Sequence, residues 1–278
     1  MNQTAAVKDL PAGTKSYADN KVLSRKEGRV GYVIYNNPEK HNAVSLDMWQ
    51  AAVGILDEFR NDNDICVVVV TGAGGKAFVS GADISRFEKE RSDEAAVKRY
   101  SETVDKSYRA FHEFPKPTIA MIRGYCIGGG MGLATCCDLR ICTERSTFAV
   151  PAAKLGLGYG YTGLKRLVDI VGPSFAMEIF YTARQFDAEE ARTMGLINRV
   201  VPDAELETYV KKYAETIAGN APMTIKAVKK VVSEILKTES ERDMAGADQI
   251  VKACFRSKDY IEGRDAFMQK RKPVFTGT

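Results

Sequence analysis

The glycine-rich stretch Gly124-Tyr-Cys-Ile-Gly-Gly-Gly-Met-Gly-Leu-Ala134 joins an apolar, strand-like run to an apolar helical run. The preceding run is Thr118–Ile122, introduced by Pro115-Lys-Pro117. Glycine allows close approach of a backbone to a ligand, and the first N–H groups of a new helix lack an intrahelical acceptor. Those donors, reinforced by the helix dipole, favour a negatively charged oxygen. Taken alone, the stretch is also compatible with a tight turn that binds nothing.

A second glycine-rich stretch, Thr71-Gly-Ala-Gly-Gly-Lys-Ala-Phe-Val-Ser-Gly-Ala-Asp83, also follows an apolar strand. Gly72, Gly74 and Ala77 match the dinucleotide-binding fingerprint. That fingerprint must open a helix, and Phe78-Val-Ser-Gly81 is a poor helix start, so a dinucleotide site is only an alternative. Two glycine turns, each after a buried strand, can instead aim one N–H apiece at a single oxygen, as an oxyanion hole does.

Strand-like and helical patterns alternate through the first part of the chain, which predicts a layered α/β fold. The predicted strands are Val30–Tyr35, Cys66–Val70, Thr118–Ile122, Leu139–Cys142 and the fragment Val200–Val201. Between them lie a helix that Ser45 caps, a polar helix over Asp93–Phe114 and a capping box at Asp187–Glu190. Three helical patterns end the chain: Asp203–Gly219, Pro222–Leu236 and Glu239–Ser257. The sequence therefore predicts an α/β core followed by a helical region.

The composition excludes several classes of protein. A net charge of +4, from 40 basic and 36 acidic residues, is too small to indicate nucleic acid but suits a small polyanionic ligand. No apolar run approaches the roughly 20 residues of a membrane helix, and Met1–Asn20 resembles a flexible tail rather than a leader. The six cysteines form no Cys-x-x-Cys pair and only two histidines are present, so we expect no metal site. Reduced cysteines predict a cytoplasmic protein.

Several ordered blocks resemble the signatures of the crotonase superfamily, the enoyl-CoA hydratase/isomerase family. They are Asn37-Pro-Glu-Lys-His-Asn-Ala43, Lys76-Ala-Phe-Val-Ser-Gly-Ala-Asp-Ile84, Gly124-Tyr-Cys-Ile-Gly-Gly-Gly130, Ala188–Pro202 and the tail Glu262–Phe275. The resemblance covers residues 21–276. It implies a crotonase-like spiral of ββα units over residues 21–202 that binds acyl-CoA. It also implies a helical oligomerisation region over residues 203–278 that forms a homotrimer or a dimer of trimers, with residues 1–20 left as the flexible tail.

The resemblance also implies the residues of the site. The N–H groups of Ala82 and Gly129 would form the oxyanion hole, so that Ala82 also contacts the CoA thioester. The segment containing Lys40, Asn42 and Ala43 would lie along CoA. In relatives, the tail region matching Phe267 and Lys270 helps to bind CoA, sometimes from a neighbouring subunit. The resemblance further implies that the partner is an acyl-CoA thioester, with coenzyme A as part of the substrate and no permanently bound cofactor.

The sequence departs from the family at the acid–base positions. The two glutamates of hydratases are replaced by Gly132 and Ala152, and the aspartate of dienoyl-CoA isomerases falls near Gly160. This predicts decarboxylase-, isomerase- or hydrolase-type chemistry, or else a catalytically silent CoA-binding paralogue. Tyr159 matches a tyrosine of methylmalonyl-CoA decarboxylase-like enzymes, although Ala82 replaces a histidine of that branch. Tyr159 is therefore either a donor at the reacting carbon or an aromatic wall of the acyl pocket.

Overall fold

A computed structural model describes residues 13–86, 90 and 92–278. Its strands are β1 (Lys15–Tyr17), β2 (Val22–Glu27), β3 (Val30–Tyr35), β4 (Val67–Gly72), β5 (Ala77–Val79), β6 (Thr118–Ile122), β7 (Tyr125–Ile127), β8 (Leu139–Thr143), β9 (Thr147–Ala149) and β10 (Arg199–Val201). Its α-helices are α1 (Leu46–Asn61), α2 (Glu94–His112), α3 (Gly129–Cys136), α4 (Tyr161–Thr182), α5 (Ala188–Thr193), α6 (Leu206–Ala218), α7 (Pro222–Ile235), α8 (Met244–Phe255) and α9 (Lys258–Met268). Short 3-10 helices lie at Pro38–Lys40, Ile84–Arg86, Pro151–Leu155, Asp203–Glu205 and Glu239–Glu241.

The strands form two sheets that the chain visits in turn. The larger sheet has the order β1-β2-β3-β4-β6-β8-β10 and the smaller one the order β5-β7-β9. Strands β1 to β3 pair antiparallel, whereas β3, β4, β6, β8 and β10 pair parallel, as do β5, β7 and β9. A strand of the large sheet, a strand of the small sheet and a helix follow one another three times. This repeat confirms the predicted spiral of ββα units.

Strand β4 shows why the large sheet forms where the sequence predicts it. Val68 and Val70 pack into the core that contains Trp49 and Phe111, while Val67 and Val69 pack on the opposite face, with α6. Side chains along a strand alternate between the two faces, so a continuously apolar run suits a strand that is covered on both. Helices α1 and α2 cover one face of β4, and α6 covers the other.

Two predicted helix starts are found, with different hydrogen bonding. The capping box of α5 is complete, because the Glu190 N–H donates to Asp187 Oδ1 at 2.9 Å and the Asp187 N–H donates to Glu190 Oε2 at 3.2 Å. Ser45 does occupy the N-cap position of α1, but its hydroxyl donates to Asp47 instead of accepting from a helix amide.

The predicted flexible tail extends too far along the chain. Residues 1–12 lie outside the described residues, but Lys15–Tyr17 forms β1, which pairs with β2 across Ser16 and Leu23. The Tyr17 hydroxyl also donates to Glu58 at 3.0 Å, which ties this strand to α1. The prediction of a tail over residues 1–20 is therefore wrong at its C-terminal end, because polar residues hid a short edge strand.

Candidate active site

The two glycine turns contact each other at one end of the small sheet. Strands β5 and β7 are parallel neighbours, and Gly81 and Gly128 lie just beyond their ends. A Cβ atom added to Gly81 would lie 3.4 Å from the Ile127 carbonyl oxygen and 3.8 Å from the Gly129 nitrogen. A Cβ atom added to Gly129 would lie 3.6 Å from the Gly81 Cα. The backbone of Ala82 is therefore adjacent to the start of α3.

The N–H group of Ala82 points away from Val44, with which Ala82 forms an isolated parallel bridge. The Val44 N–H donates to the Gly81 carbonyl at 2.8 Å, and the Asp83 N–H donates to the Val44 carbonyl at 3.0 Å. Backbone groups of successive residues in an extended segment point to opposite sides, so Ala82 presents its N–H on the other side. Among the residues that the structure describes, this N–H has no acceptor.

Gly129 supplies a second donor of the same kind. It is the first residue of α3, and Gly132 is the first residue of this helix whose N–H reaches a carbonyl of the preceding turn, that of Gly128, at 3.1 Å. The Gly129 N–H likewise lacks an acceptor within the described part of the chain. Two unpaired donors thus belong to loops in contact, and the positive end of a helix dipole adds to one of them.

The loop that contains Ala82 is fixed by polar contacts of Lys40 with the buried Asp83 and with Ser85. The Lys40 ammonium donates to Asp83 Oδ2 at 3.0 Å and to Ser85 Oγ at 2.6 Å. Asp83 is only 6% exposed. Burial alone would raise the pKa of the Asp83 carboxyl, but hydrogen bonds from Ser85 and Lys40 outweigh it and hold this pKa below its usual range. Asp83 is thus a charged anchor of the turn rather than a free acid.

Asn42 holds the neighbouring loops together with its side chain. It is fully buried; its Oδ1 accepts from the Asn37 N–H at 2.8 Å, and its Nδ2 donates to the carbonyls of Ala73 and Ala77 at 2.9 and 2.7 Å. The side chain that the sequence assigns to CoA binding is therefore engaged within the protein. The adjacent Ala43 is also buried, whereas Lys40 and His41 of this segment are exposed.

Tyr108, which none of the sequence motifs includes, lies beside the Gly129 turn. Tyr108 of α2 donates its hydroxyl to the Gly129 carbonyl at 2.9 Å. Its ring packs edge-on against Trp49, with 5.4 Å between the ring centroids. Tyr100, Val104 and Tyr108 recur every four residues and so share one face of α2. That spacing is the signal that could have identified this face of a polar helix as buried against the site.

The predicted site residue Tyr159 lies in the loop before α4, and its ring packs edge-on against Phe180 at 4.8 Å between centroids. Burial, and after it the nearby Tyr100, raise the pKa of Tyr159. Burial and then the phenol of Tyr159 raise the pKa of Tyr108 well above its usual range. Tyr159 therefore lies near Tyr100 and Tyr108, the two tyrosines of α2.

Other predicted site residues lie in different surroundings. Gly132 faces Tyr108 from α3, and Ala152 is buried in the 3-10 helix at Pro151–Leu155. Phe267, near the end of α9, is 82% exposed, and Lys270 just beyond it is exposed too.

Within the described residues, no three His, Cys, Asp or Glu side chains are arranged to hold a metal ion. No described helix is both long and apolar enough to span a bilayer.

The sequence and the fold are both similar to those of known proteins. A sequence model described as enoyl-CoA hydratase/isomerase matches residues 25–278. A short-chain-enoyl-CoA hydratase from Clostridium acetobutylicum is 33% identical over 253 residues, which cover 91% of this chain and 96% of that protein. A crotonyl-CoA hydratase from Syntrophomonas wolfei is 33% identical over 254 residues, covering 91% and 97%. The solved structure of an enoyl-CoA hydratase/carnithine racemase from Magnetospirillum magneticum superimposes with a TM-score of 0.86 at 34% identity, covering 94% of this chain and 97% of that one.

The parallel ββα spiral with its helical C-terminal region is the crotonase fold. The chain belongs to the enoyl-CoA hydratase/isomerase family, whose members act on acyl-CoA thioesters. The dinucleotide alternative is not supported by the fold, because the glycine turn after β4 leads into strand β5 and not into the helix that such a site requires.

Proposed function

We propose that this protein binds an acyl-CoA thioester and stabilises its enolate oxygen with the N–H groups of Ala82 and Gly129. The observation that carries the proposal is that both N–H groups lack an acceptor in the described structure and belong to loops in contact. When a bond at the α carbon of a thioester breaks, electron density moves onto the carbonyl oxygen. Donors already aimed at that oxygen stabilise the enolate more than the ground state, which accelerates the reaction.

The chemistry that follows enolate formation is proposed to differ from ordinary hydration. Gly132 and Ala152 supply no carboxyl group, and a positioned acid or base contributes roughly 10²–10⁴-fold to a rate. Decarboxylation forms the enolate by losing CO₂ and needs no carboxylate base, so decarboxylase-type chemistry suits this site, with isomerase- and hydrolase-type reactions as the other members of the class. The same two substitutions also support a second candidate, a CoA-binding paralogue without catalytic activity.

Tyr159 is proposed to act as a hydrogen-bond donor at the acyl end. Its raised pKa keeps the phenol protonated at neutral pH, so it can donate but cannot serve as a base. Tyr159 as a whole is 39% exposed and hence accessible from the surface. The competing role, an aromatic wall of the acyl pocket, would use the ring and not the hydroxyl.

CoA is proposed to lie along the segment of Lys40, Asn42 and Ala43, with Phe267 and Lys270 contributing from a neighbouring subunit. The half-exposed Lys40 ammonium is available to a phosphate, although it already pairs with Asp83. Backbone groups of Asn42 and Ala43, rather than the engaged Asn42 side chain, would make the contacts. The high exposure of Phe267 suits a role completed by a partner subunit.

A homotrimer, or a dimer of trimers, is proposed as the assembly. Exposed apolar side chains cluster on the C-terminal helices: Val228, Val232, Ile235, Leu236, Met244, Phe255, Ile261 and Met268. A cleft of 730 Å³ lies between α7, α8 and α9. Exposed apolar side chains gathered on neighbouring helices are typical of a subunit interface. A cytoplasmic location stays a prediction.

The function is tested by incubating the protein with malonyl-type and enoyl-CoA thioesters. We expect turnover of a malonyl-type thioester, with little hydration of enoyl-CoA. Calorimetric binding of CoA without turnover of any thioester would favour the silent paralogue, and failure to bind CoA would contradict both proposals.

Replacing Tyr159 with phenylalanine is expected to lower kcat roughly tenfold, the cost of one hydrogen bond to a charged or developing anion. Tyr161→Phe is the matched control, because Tyr161 is 77% exposed two residues further on, and its kcat should be unchanged. Equal kcat values for Tyr159→Phe and the wild type would leave Tyr159 as an aromatic wall.

A further inference from the structure

Tyr108 occupies the space that a side chain at position 132 would need. A Cβ atom added to Gly132 would lie 2.5 Å from the Tyr108 hydroxyl oxygen and 2.7 Å from Cζ of the same ring. These separations are shorter than real Cβ atoms show, so one of the two residues would have to move. Glycine at position 132 and the observed position of the Tyr108 ring therefore depend on each other.

The Tyr108 ring is held from two sides. Its hydroxyl donates to the Gly129 carbonyl at 2.9 Å, and its ring meets Trp49 edge-on. Trp49 is itself 1% exposed and packs edge-on against the fully buried Tyr35, with 5.9 Å between centroids. Displacing the phenol would break its hydrogen bond and disturb a packed row of aromatic rings.

The phenol lies across the first turn of α3. Gly129 and Gly132 are three residues apart in a helix and so lie on the same face. Tyr108 bonds the carbonyl of the first and covers the Cα of the second. A Cβ atom added to Gly129 would lie 3.5 Å from the Tyr108 hydroxyl and 3.7 Å from the Trp49 ring. Both aromatic residues therefore pack against Gly129, the residue that carries the donor N–H.

We propose that Tyr108 is a positioning residue for the oxyanion site: its hydroxyl fixes the Gly129 residue from behind, and its ring closes the space above Gly132 to any other side chain. The inference deepens the proposed function and rests on it. Since burial keeps the phenol protonated, Tyr108 acts here as a hydrogen-bond donor and not as a base.

The packing half of the proposal is tested without any substrate. In the wild-type background, Gly132→Ala is expected to lower the thermal unfolding midpoint because of the clash with the phenol. In a Tyr108→Ala background, the same Gly132→Ala change is expected to raise the midpoint, since alanine favours a helix interior over glycine. Equal shifts in the two backgrounds would overturn the coupling between positions 108 and 132.

The positioning half is tested with acetoacetyl-CoA, whose enolate has its own ultraviolet absorption band. Tyr108→Phe keeps the ring and removes only the hydroxyl, so it should fold. We expect its bound enolate fraction at neutral pH to fall roughly three- to tenfold, the effect of one hydrogen bond, while the affinity for free CoA stays unchanged. The control is Tyr209→Phe, because Tyr209 is also a half-buried helical tyrosine in an aromatic pair but packs on the opposite face of the large sheet.

The outcomes separate this inference from the proposed function. A full enolate band in Tyr108→Phe, with the band present in the wild type, would overturn the positioning role and leave the oxyanion site standing. If the wild type binds acetoacetyl-CoA without an enolate band, the proposed function itself is contradicted, and the positioning role with it. A reduced band in Tyr108→Phe together with the reversed effect of Gly132→Ala supports both halves.

Discussion

Replacing Gly129 with proline is expected to lower kcat for the protein's thioester substrate by about 10²–10³, which corresponds to about 2.7–4 kcal/mol of transition-state stabilisation. Proline removes the N–H group that we assign to the oxyanion site. The first position of a helix accepts proline better than any other, because its fixed φ suits the helix and its N–H makes no intrahelical bond. Gly129 occupies that position in α3.

The matched control is Gly129→Ala, which keeps the N–H group. The added Cβ atom would lie no closer than 3.5 Å to its three nearest neighbours, an ordinary contact distance. We therefore expect a far smaller loss of kcat in this variant, with CoA affinity retained in both. Steady-state kinetics and calorimetry make the comparison. Similar losses in the two variants would show that the added carbon atoms matter and the missing N–H does not.

Replacing the neighbouring Gly130 with alanine is expected to destabilise the fold, in contrast to Gly129→Ala. A Cβ atom there would lie 2.1 Å from the Val79 carbonyl oxygen and 2.9 Å from its carbon, so the start of α3 packs directly on the backbone of β5. Unlike a flexible side chain, these backbone atoms cannot rotate away to relieve the contact. Gly130→Ala should therefore cost about 3 kcal/mol, the upper part of the usual range for overpacking.

Thermal unfolding measures this second effect. For a chain of this size, about 3 kcal/mol corresponds to a midpoint lower by roughly 6–12 °C. Gly129→Ala again serves as the control, because it adds the same methyl group one residue away, and its midpoint should change little. A stable Gly130→Ala variant would mean that α3 and β5 can separate. The close contact would then not explain why glycine stands at this position.

Long buried elements could be predicted from the sequence because each follows from a local pattern. Strand Thr118–Ile122 has the predicted bounds, and β4 lies one or two residues from its prediction. The capping box of α5 was also local, since its two residues are three apart. Burial of both faces of a strand, or a cap at a helix start, depends on neighbours in sequence, and this is why these predictions succeeded.

The strands of the small sheet could not be predicted in the same way. Strands β5, β7 and β9 are only three residues long, and two of them lie inside the glycine-rich stretches. They exist because parallel partners from different parts of the chain complete their hydrogen bonds. Helix α4 was hidden for another reason: Gly172, with φ of 76°, and Pro173 interrupt its pattern, although the helix resumes beyond them.

The residues of the candidate site also differ in whether a local sequence pattern could predict them. The two glycine turns were identified from the sequence, because each is a local strand-to-turn pattern. Tyr108 was not, since its importance comes from contact with Gly129 and Gly132 on another helix. The Asn42 side chain likewise joins its own loop to Ala73 and Ala77, which lie 31 and 35 residues further along the chain, so its structural role could not be predicted beside the implied role in CoA binding.

The most direct test measures the ionisation of acetoacetyl-CoA on the protein. If the amides of Ala82 and Gly129 share one thioester oxygen, the bound ligand should show its enolate absorption at a pH where free acetoacetyl-CoA does not, and Gly129→Pro should abolish that band without loss of CoA binding. Saturating binding to the wild type with the spectrum of the free ligand unchanged would contradict the account.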